Sequence, residues 1–151
     1  MTVKKKAAAT PRKSYAPGEF DLKIKRSSAG MGLFAGAAIP KGACVVEYIG
    51  RELSKDEWYT VKSKYLFEVT KQKTIDGSPR WNLARYINHS CKPNCEPEIH
   101  RARVYIRAKR AIKPGEELCY NYGPEYFKDF IEPHGCRCER CTAARARAPV
   151  K

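Results

Sequence analysis

Apolar side chains recur along the chain in short runs that turn residues separate, a pattern typical of β-strands. Residues 43–50 are rich in β-branched side chains and follow a Pro-Lys-Gly turn. Residues 65–70 form a second run, and residues 117–122 form a third after the Pro-Gly pair at 114–115. The sequence therefore predicts a mostly-β chain built from short strands.

Residues 101–109 alternate between apolar and polar side chains with a period of two, as a half-buried strand does. The apolar side chains at even positions are predicted to face the core. The outward positions are then Arg101, Arg103, Tyr105, Arg107 and Lys109. A basic face of this kind is more often solvated than bound to nucleic acid, so we predict a solvated face and keep a nucleic-acid surface as the alternative.

Residues 54–64 give the best prediction of a helix. Ser54 suits the N-cap, and Glu57 stands three residues later, in the capping-box position. The chain shows no repeat period and no heptads, and its many short strands with little helix indicate a compact, mostly-β domain.

Both ends of the chain are rich in basic residues. The chain has 151 residues, about one domain, and a formal net charge of +14. Residues 1–18 and 143–151 are predicted to be basic disordered tails that attract nucleic acid or chromatin. The sequence shows neither a signal peptide nor a membrane span, so we expect an intracellular protein without membrane contact.

Seven cysteines in such a chain indicate metal binding or buried thiols more than disulfides. Cys44 and Cys119 lie in predicted strands, where we expect them to be buried. The C-terminal motif Cys-x-Cys-x-x-Cys consists of Cys136, Cys138 and Cys141. Three sulfurs do not close a structural zinc site. The residues alone leave three candidates for the fourth ligand: Cys91, Cys95 and His134.

A glycine motif at residues 30–35 matches the pattern of a dinucleotide-binding loop, which requires a helix at its end. The turn at 40–42 follows too soon for such a helix, so we predict a glycine-flanked turn whose backbone can approach a ligand closely. The densest polar cluster, residues 85–95, needs hydrogen-bond partners if it is buried. Tyr120 and Tyr122 share one face of the strand at 117–122.

These segments, in this order, resemble the SET domain, the fold of lysine methyltransferases. The resemblance covers about residues 20–141 and is most specific at Asn-His-Ser-Cys-x-Pro-Asn (88–94) and Gly-Glu-Glu-Leu-x-x-x-Tyr (115–122). It implies a SET domain at 19–123 and a zinc-bound post-SET segment at 124–142. The implied fold is mostly β with few short helices and a knot-like C-terminal threading, which departs from the usual rule against threaded loops. No cysteine-rich segment precedes the domain, so a minimal SET protein is expected.

The resemblance also implies roles for individual residues. Those expected to bind S-adenosylmethionine are Gly30, Met31, Gly32, Tyr65, Arg85, Asn88, His89 and Tyr122. Tyr122 matches the catalytic tyrosine, and Tyr48 and Tyr120 match the walls of the lysine channel. The zinc ligands are expected to be Cys91, Cys136, Cys138 and Cys141, which leaves Cys95 over. The spacing within the cysteine motif is shorter than in most post-SET segments, and Met31 replaces a common aromatic residue.

The implied activity is the transfer of methyl groups from S-adenosylmethionine to the lysine amine of a histone or another basic chromatin protein, with S-adenosylhomocysteine as product. Tyr120 favours mono- or dimethylation. The alternatives are a basic zinc-containing nucleic-acid-binding module without catalysis, and a SET fold that has lost catalysis. The expected location is the nucleus or chromatin if the protein is eukaryotic or delivered to a host, and otherwise the cytoplasm. Lys13 lies in a stretch that resembles histone tails, which raises the hypothesis of automethylation or a pseudosubstrate.

Overall fold

The computed structural model describes residues 13–147, and within that range short strands predominate. The strands are β1 Leu22–Ser27, β2 Gly30–Ala35, β3 Cys44–Tyr48, β4 Arg51–Ser54, β5 Leu66–Thr70, β6 Lys73–Asp76, β7 Asn88–His89, β8 Cys95–His100, β9 Arg103–Ala108 and β10 Cys119–Tyr120. The helical segments are α1 Lys55–Trp58, α2 Pro124–Tyr126 and α3 Glu139–Arg147, with the 3-10 turns Leu83–Tyr86 and Glu132–His134 and the π-helical turn Phe127–Ile131. The predicted mostly-β fold with few short helices is confirmed.

The strands form four small sheets around one core. β1 and β2 make an antiparallel hairpin, β9 lies between β3 and β8, and β6 lies between β4 and β5. β7 and β10 pair in parallel. Side chains from different sheets meet in the core, where Leu33, Ile39, Val45, Ile87, Ile106 and Leu118 are almost wholly buried. No helix among residues 13–147 has both the length and the apolar character needed to cross a bilayer.

The first hairpin corrects the interpretation of the glycine motif. Residues 30–35 are not a turn but the strand β2, paired along its whole length with β1. Only the corner at Gly30 has the positive φ, +105°, that favours glycine. Leu33 and Ala35 face the core, whereas four consecutive residues of β1 are exposed. The residues at 20–25 alternate between apolar and polar side chains, a signal of a strand that the predictions from sequence did not include, although Ile24 is itself exposed in the structure.

The predicted helix 54–64 is much shorter in the structure, although its N-cap is correct. The Glu57 N–H donates to Ser54 Oγ at 3.3 Å, and the Ser54 N–H donates to Glu57 Oε2 at 2.8 Å, so the capping box is complete. α1 buries no side chain, and it ends at Trp58. Without packing to stabilise it, a helix this short gains little from propensity alone.

The predicted solvated face of the strand at 101–109 is wrong at its centre. β9 is the middle strand of its sheet, and Tyr105 and Arg107 are only 6% and 3% exposed. Tyr15 covers this face, with its ring edge-on to Tyr105 at 5.4 Å. Arg101 and Ala102 lie in the preceding turn with positive φ rather than in the strand.

Arg107 connects the residues that precede β1 to the sheet. Its guanidinium donates to Glu98 Oε2 at 2.9 Å, to Gly42 O at 2.9 Å and to Ser14 O at 2.8 Å. Lys13 forms an ion pair with the same Glu98. Residues 13–18 of the predicted basic tail therefore lie against β8 and β9, and the rest of that tail lies outside the described residues.

We expect Arg107→Ala to lower the free energy of unfolding by about 2 kcal/mol, because it leaves two carbonyl groups without a donor and the half-buried Glu98 carboxylate with Lys13 as its remaining partner. Arg103→Ala is the matched control, since this exposed arginine of the same strand pairs with Glu47 near the surface. Urea denaturation of the two variants measures the difference. Equal stability of both variants would contradict the importance of the buried contacts.

Part of the second predicted tail, residues 143–147, is helical in the structure. α3 begins at Glu139 and continues through Arg147, across the predicted domain boundary at residue 142. Its sequence alternates alanine and arginine, both good helix formers. Residues 148–151 lie outside the described residues.

Candidate active site and metal centre

A cavity of about 410 Å³ opens where the β1–β2 corner, the end of β7 and the segment after β10 meet. Its lining combines aromatic rings with a few polar groups. The lining residues are Ala29, Gly30, Met31, Tyr48, Lys64, Tyr65, Leu66, Phe67, Ala84, Arg85, Tyr86, Asn88, Tyr120, Tyr122 and Tyr126. Such a mixture of apolar walls and few convergent polar groups is typical of a small-molecule site.

Three tyrosines form one wall of the cavity, of which Tyr48 and Tyr120 are buried and Tyr122 is partly buried. The Tyr120 and Tyr122 rings lie 4.8 Å apart, and the Tyr48 hydroxyl donates to Tyr65 O at 2.6 Å. The Tyr122 hydroxyl donates to Ile87 O. Burial raises the pKa of all three phenols far above the ordinary value, so their hydroxyls remain protonated donors at neutral pH.

Tyr126 extends this wall, and sequence reasoning missed it. Its ring lies edge-on to Tyr122 at 5.0 Å, and its hydroxyl donates to Lys64 O at 3.2 Å. Tyr126 is the last residue of α2, two residues after Pro124. In the sequence, the signal for this residue is its position four residues, about one helical turn, after Tyr122.

Arg85 brings an unpartnered donor to the cavity. Its guanidinium lies over the Tyr65 ring at 4.4 Å and near the Tyr86 ring at 4.9 Å. Within residues 13–147, its Nε is buried and makes no hydrogen bond. Arg85 also lines the cavity, where its guanidinium places a positive charge that can attract an anionic group.

Asn88 and His89 stand side by side in β7 but differ in orientation. Asn88 lines the cavity and donates through Nδ2 to Met31 O at 2.9 Å. His89 accepts the Tyr122 N–H at Nδ1, 3.1 Å away. Burial lowers the pKa of His89, which fits a neutral ring with an accepting Nδ1. His89 therefore supports the backbone of Tyr122 rather than the cavity wall.

Hydrogen bonds between residues 88–94 and 117–122 hold both motifs in place. Asn94 is buried and uses both polar atoms: Nδ2 donates to Glu117 O at 2.8 Å, and Oδ1 accepts the Cys119 N–H at 2.9 Å. The Ser90 N–H donates to Tyr120 O at 3.1 Å. Within the polar cluster predicted to need partners, Ser90 and Asn94 thus find them in the second motif, whereas Arg85 Nε finds none among the described residues.

Most of the residues predicted to line the site do meet at the cavity. Those that line it are Gly30, Met31, Tyr48, Tyr65, Arg85, Asn88, Tyr120 and Tyr122. Gly32 and His89 do not. Gly32 lies one step further along β2, where a Cβ would overlap the Glu117 carboxylate.

Four cysteines converge beside the cavity. The sulfurs of Cys91, Cys136, Cys138 and Cys141 all lie within 4.8 Å of one another. Cys91 Sγ is 3.9 Å from Cys136 Sγ and 3.7 Å from Cys141 Sγ. A tetrahedral zinc site with Zn–S bonds of about 2.3 Å separates its sulfurs by about 3.8 Å. The cluster can therefore hold a metal ion of this kind.

The remaining candidates for the fourth ligand lie outside this cluster. Cys95 is fully buried in the core, and His134 is exposed. Burial, together with a hydrogen bond to Cys141, raises the pKa of Cys91 to about 12. Burial also raises the pKa of Cys138, but hydrogen bonds from the Cys91 and Cys141 backbone outweigh it and lower that pKa to about 6. At least one sulfur of the cluster is therefore ready to bind a cation as thiolate.

The cysteine segment contacts residues beside the cavity at two places. Cys91 follows β7 directly, and its sulfur lies 3.5 Å from His89 Nε2. Ser28, in the β1–β2 corner, donates through Oγ to Arg137 O at 3.0 Å. A metal in the cluster would thus fix both the β1–β2 corner and the end of β7.

Comparison with known proteins defines the class. The SET domain model matches residues 30–123, and the chain belongs to the SET-domain family. It is 41% identical over 105 residues to the histone-lysine N-methyltransferase trr of Drosophila melanogaster, which is 62% of this chain and 4% of that protein. It is 36% identical over 117 residues to the histone-lysine N-methyltransferase ASHH1 of Arabidopsis thaliana, which is 69% of this chain and 24% of that protein.

Solved structures agree with this assignment. A crystal structure of KRYPTONITE in complex with mCHH DNA, H3(1-15) peptide and SAH superimposes with a TM-score of 0.64 and 33% identity, over 75% of this chain and 25% of that one. The polycomb repressive complex 2 of Chaetomium thermophilum gives a TM-score of 0.63 and 32% identity, over 71% of this chain and 16% of that one. The predicted SET fold is confirmed.

The chain spans only a small part of these relatives: it covers 4% of the length of trr and 24% of the length of ASHH1. A nucleic-acid-binding module without catalysis, the alternative interpretation of the sequence, finds no support in the names of these relatives.

Proposed function

We propose that this chain transfers methyl groups from S-adenosylmethionine to the side-chain amine of lysine in a histone or another basic chromatin protein. The observation that supports this most strongly is the wall of tyrosines, Tyr48, Tyr120 and Tyr122, beside the unpartnered Arg85 in one cavity. Relatives named histone-lysine N-methyltransferases support the same conclusion.

The polar groups of the cavity fit S-adenosylmethionine, which supplies a methyl group activated by a sulfonium centre. The Arg85 guanidinium can donate to a carboxylate, and the Asn88 side chain can bind an amino group. The Tyr65 ring, already under the Arg85 guanidinium, offers an aromatic face. The corner at Gly30 and Met31 brings backbone groups to the cavity without a bulky side chain at residue 30.

The tyrosine wall suits a lysine side chain. Lysine is charged at neutral pH, with a reference pKa of about 10.4, and cannot act as a nucleophile in that form. Aromatic walls desolvate the amine and so lower its pKa. The Tyr122 hydroxyl donates its proton to Ile87 O, so its oxygen can accept a hydrogen bond from the neutral amine and leave the amine lone pair free for the methyl group. Alignment of the amine with the methyl group supplies much of the rate.

We propose structural zinc at the four-cysteine cluster. Four sulfur ligands leave no open position for substrate, so the metal would stabilise the C-terminal segment rather than take part in the reaction. Its position between β7 and α3 would keep that segment beside the cavity.

Tyr120→Phe is expected to change the extent of methylation. Tyr120 is buried at the cavity wall, 4.8 Å from Tyr122, and its hydroxyl narrows the space for a methylated amine. Removing that hydroxyl should raise the ratio of trimethylated to monomethylated product about tenfold, which corresponds to about 1.4 kcal/mol. Intact-mass spectrometry of the product over time measures this ratio. An identical ratio for wild type and Tyr120→Phe would contradict the proposal.

A substrate screen tests the activity. The protein is incubated with labelled S-adenosylmethionine and a panel of core histones, linker histone and bacterial basic proteins. Incorporation into a histone supports the proposal, and incorporation only into a bacterial protein overturns the chromatin assignment. No incorporation into any member, with no binding of S-adenosylhomocysteine, overturns the enzymatic function.

We also propose a chromatin location, with weak DNA contact through the basic ends of the chain. The relatives named for histone methylation support the location, and the net charge of +14 supports attraction to DNA. Steep salt dependence of DNA binding, without methyl transfer, would instead favour the nucleic-acid-binding alternative.

A further inference from the structure

Glu117 is a half-buried carboxylate directly behind the cavity, and the proposed mechanism does not use it. Its backbone pairs with Phe34 of β2, and the next residue, Leu118, donates its N–H to Leu33 O at 2.8 Å. The side chain crosses Gly32 and reaches Asn88, whose Nδ2 lies 2.9 Å from Glu117 Oε1. Glu117 therefore contacts a residue of the cavity wall without lining the cavity itself.

The contacts of Asn88 fix which way its amide points. Nδ2 lies 2.9 Å from both Met31 O and Glu117 Oε1, and 3.4 Å from Ser27 Oγ. A carbonyl and a carboxylate are both acceptors, so only the NH₂ group of the amide can face them. Both protons of Nδ2 are thereby used. Among the described residues, Asn88 Oδ1 accepts no hydrogen bond, and it is the polar atom left for a donor in the cavity.

We propose that Glu117 is a positioning residue that holds the Asn88 amide with Oδ1 available to the ammonium group of the bound methyl donor. This inference rests on the proposed function, because it assigns the donor in the cavity to S-adenosylmethionine. If the amide rotated by half a turn, its NH₂ group would meet the ammonium group, and two donors would face each other. Glu117 opposes that rotation together with Met31 O, because only the NH₂ group can donate to its carboxylate.

Three substitutions of Glu117 test whether Asn88 needs a hydrogen-bond acceptor there. Glu117→Gln keeps the length of the side chain and an acceptor oxygen for Asn88. Glu117→Leu keeps the bulk but offers no acceptor, so Met31 O is the main acceptor that still orients the amide. Glu117→Asp keeps the charge but withdraws the carboxylate from Asn88 by one methylene, which provides a test even if the leucine variant does not fold.

Calorimetric titration with S-adenosylhomocysteine measures the effect without any need for catalysis. We expect Glu117→Leu to raise the Kd about 20-fold, Glu117→Asp about 5-fold and Glu117→Gln less than about 3-fold, in the range of a lost charged hydrogen bond. Glu116→Gln is the matched control, since the Glu116 carboxylate binds Arg110 and the Lys113 N–H instead. This control should bind S-adenosylhomocysteine as the wild type does.

A double-mutant cycle separates positioning from a general structural role. If Glu117 acts through Asn88, Glu117→Leu adds little to the Kd of Asn88→Ala. In steady-state assays, Glu117→Asp should raise the KM for S-adenosylmethionine while kcat at saturation is preserved.

Three outcomes overturn the inference. Binding of S-adenosylhomocysteine by Glu117→Asp or Glu117→Leu at the wild-type Kd shows that the carboxylate does not matter. Additive effects of the Asn88 and Glu117 substitutions show that Glu117 acts elsewhere. A wild-type protein that does not bind S-adenosylhomocysteine refutes the proposed function itself, and this result differs from the other two because it appears before any substitution is made.

Discussion

Tyr122→Phe is expected to lower kcat for methyl transfer at least about 100-fold, which corresponds to about 2.7 kcal/mol of transition-state stabilisation. The phenylalanine ring keeps the packing between Tyr120 and Tyr126 and removes only the hydroxyl. Affinity for S-adenosylhomocysteine should therefore change less than about 3-fold. Single-turnover kinetics with the histone substrate, together with calorimetric titration, measure the two quantities.

The position of the hydroxyl is the physical reason for this expectation. Tyr122 Oη is held by Ile87 O at the cavity wall, so it is oriented before substrate arrives. Because burial raises the pKa of this phenol well above its ordinary value, the hydroxyl stays protonated across the neutral range. Tyr59→Phe is the control, since that ring is 71% exposed and does not line the cavity. Equal loss in both variants, or none in Tyr122→Phe, would contradict the assigned role.

Loss of the metal is expected to abolish methyl transfer and to release the C-terminal segment. Three of the four ligands stand at 136–141, and Cys91 is the one that joins them to the SET domain. Cys138→Ser removes one of the four sulfur ligands, so it should remove most of the bound zinc. Zinc binding contributes about 10–16 kcal/mol to the folding of small zinc peptides, so its loss should release the segment. Elemental analysis measures the zinc, and limited proteolysis measures exposure of α3.

The control for this prediction is another cysteine of the same chain. Cys119→Ala changes a half-buried thiol in β10, outside the cluster, and should leave the zinc content unchanged. If the purified wild-type protein holds no zinc, or if Cys138→Ser loses zinc but keeps full activity and a protected α3, the structural role of the metal is refuted.

Local sequence patterns predicted the parts of the fold that depend on neighbouring residues. The strands β3 and β5 are β-branched runs bounded by turns, and the capping box of α1 is formed within four residues. β1 was missed although residues 20–25 alternate between apolar and polar side chains, because the alternation is short and basic side chains dominate the strand. The burial of Arg107 was missed because it depends on Ser14, 93 residues away in sequence.

The candidate site was predictable chiefly from its resemblance to a family rather than from periodicity. The residues alone left Cys91, Cys95 and His134 open as the fourth ligand, and only the fold distinguishes them. His89 turns away from the cavity because its ring accepts the backbone N–H of Tyr122, a contact that requires the parallel pairing of β7 with β10. No local pattern encodes that pairing.

Lysine is the proposed methyl acceptor, and locating the transferred methyl group on the substrate tests this proposal. Histone substrate is incubated with the protein and S-adenosylmethionine that carries a deuterated methyl group, and tandem mass spectrometry then locates the label. We predict the label on lysine Nζ in the wild-type reaction and almost none with Tyr122→Phe. Label on another residue type, or equal labelling by both proteins, would contradict the account.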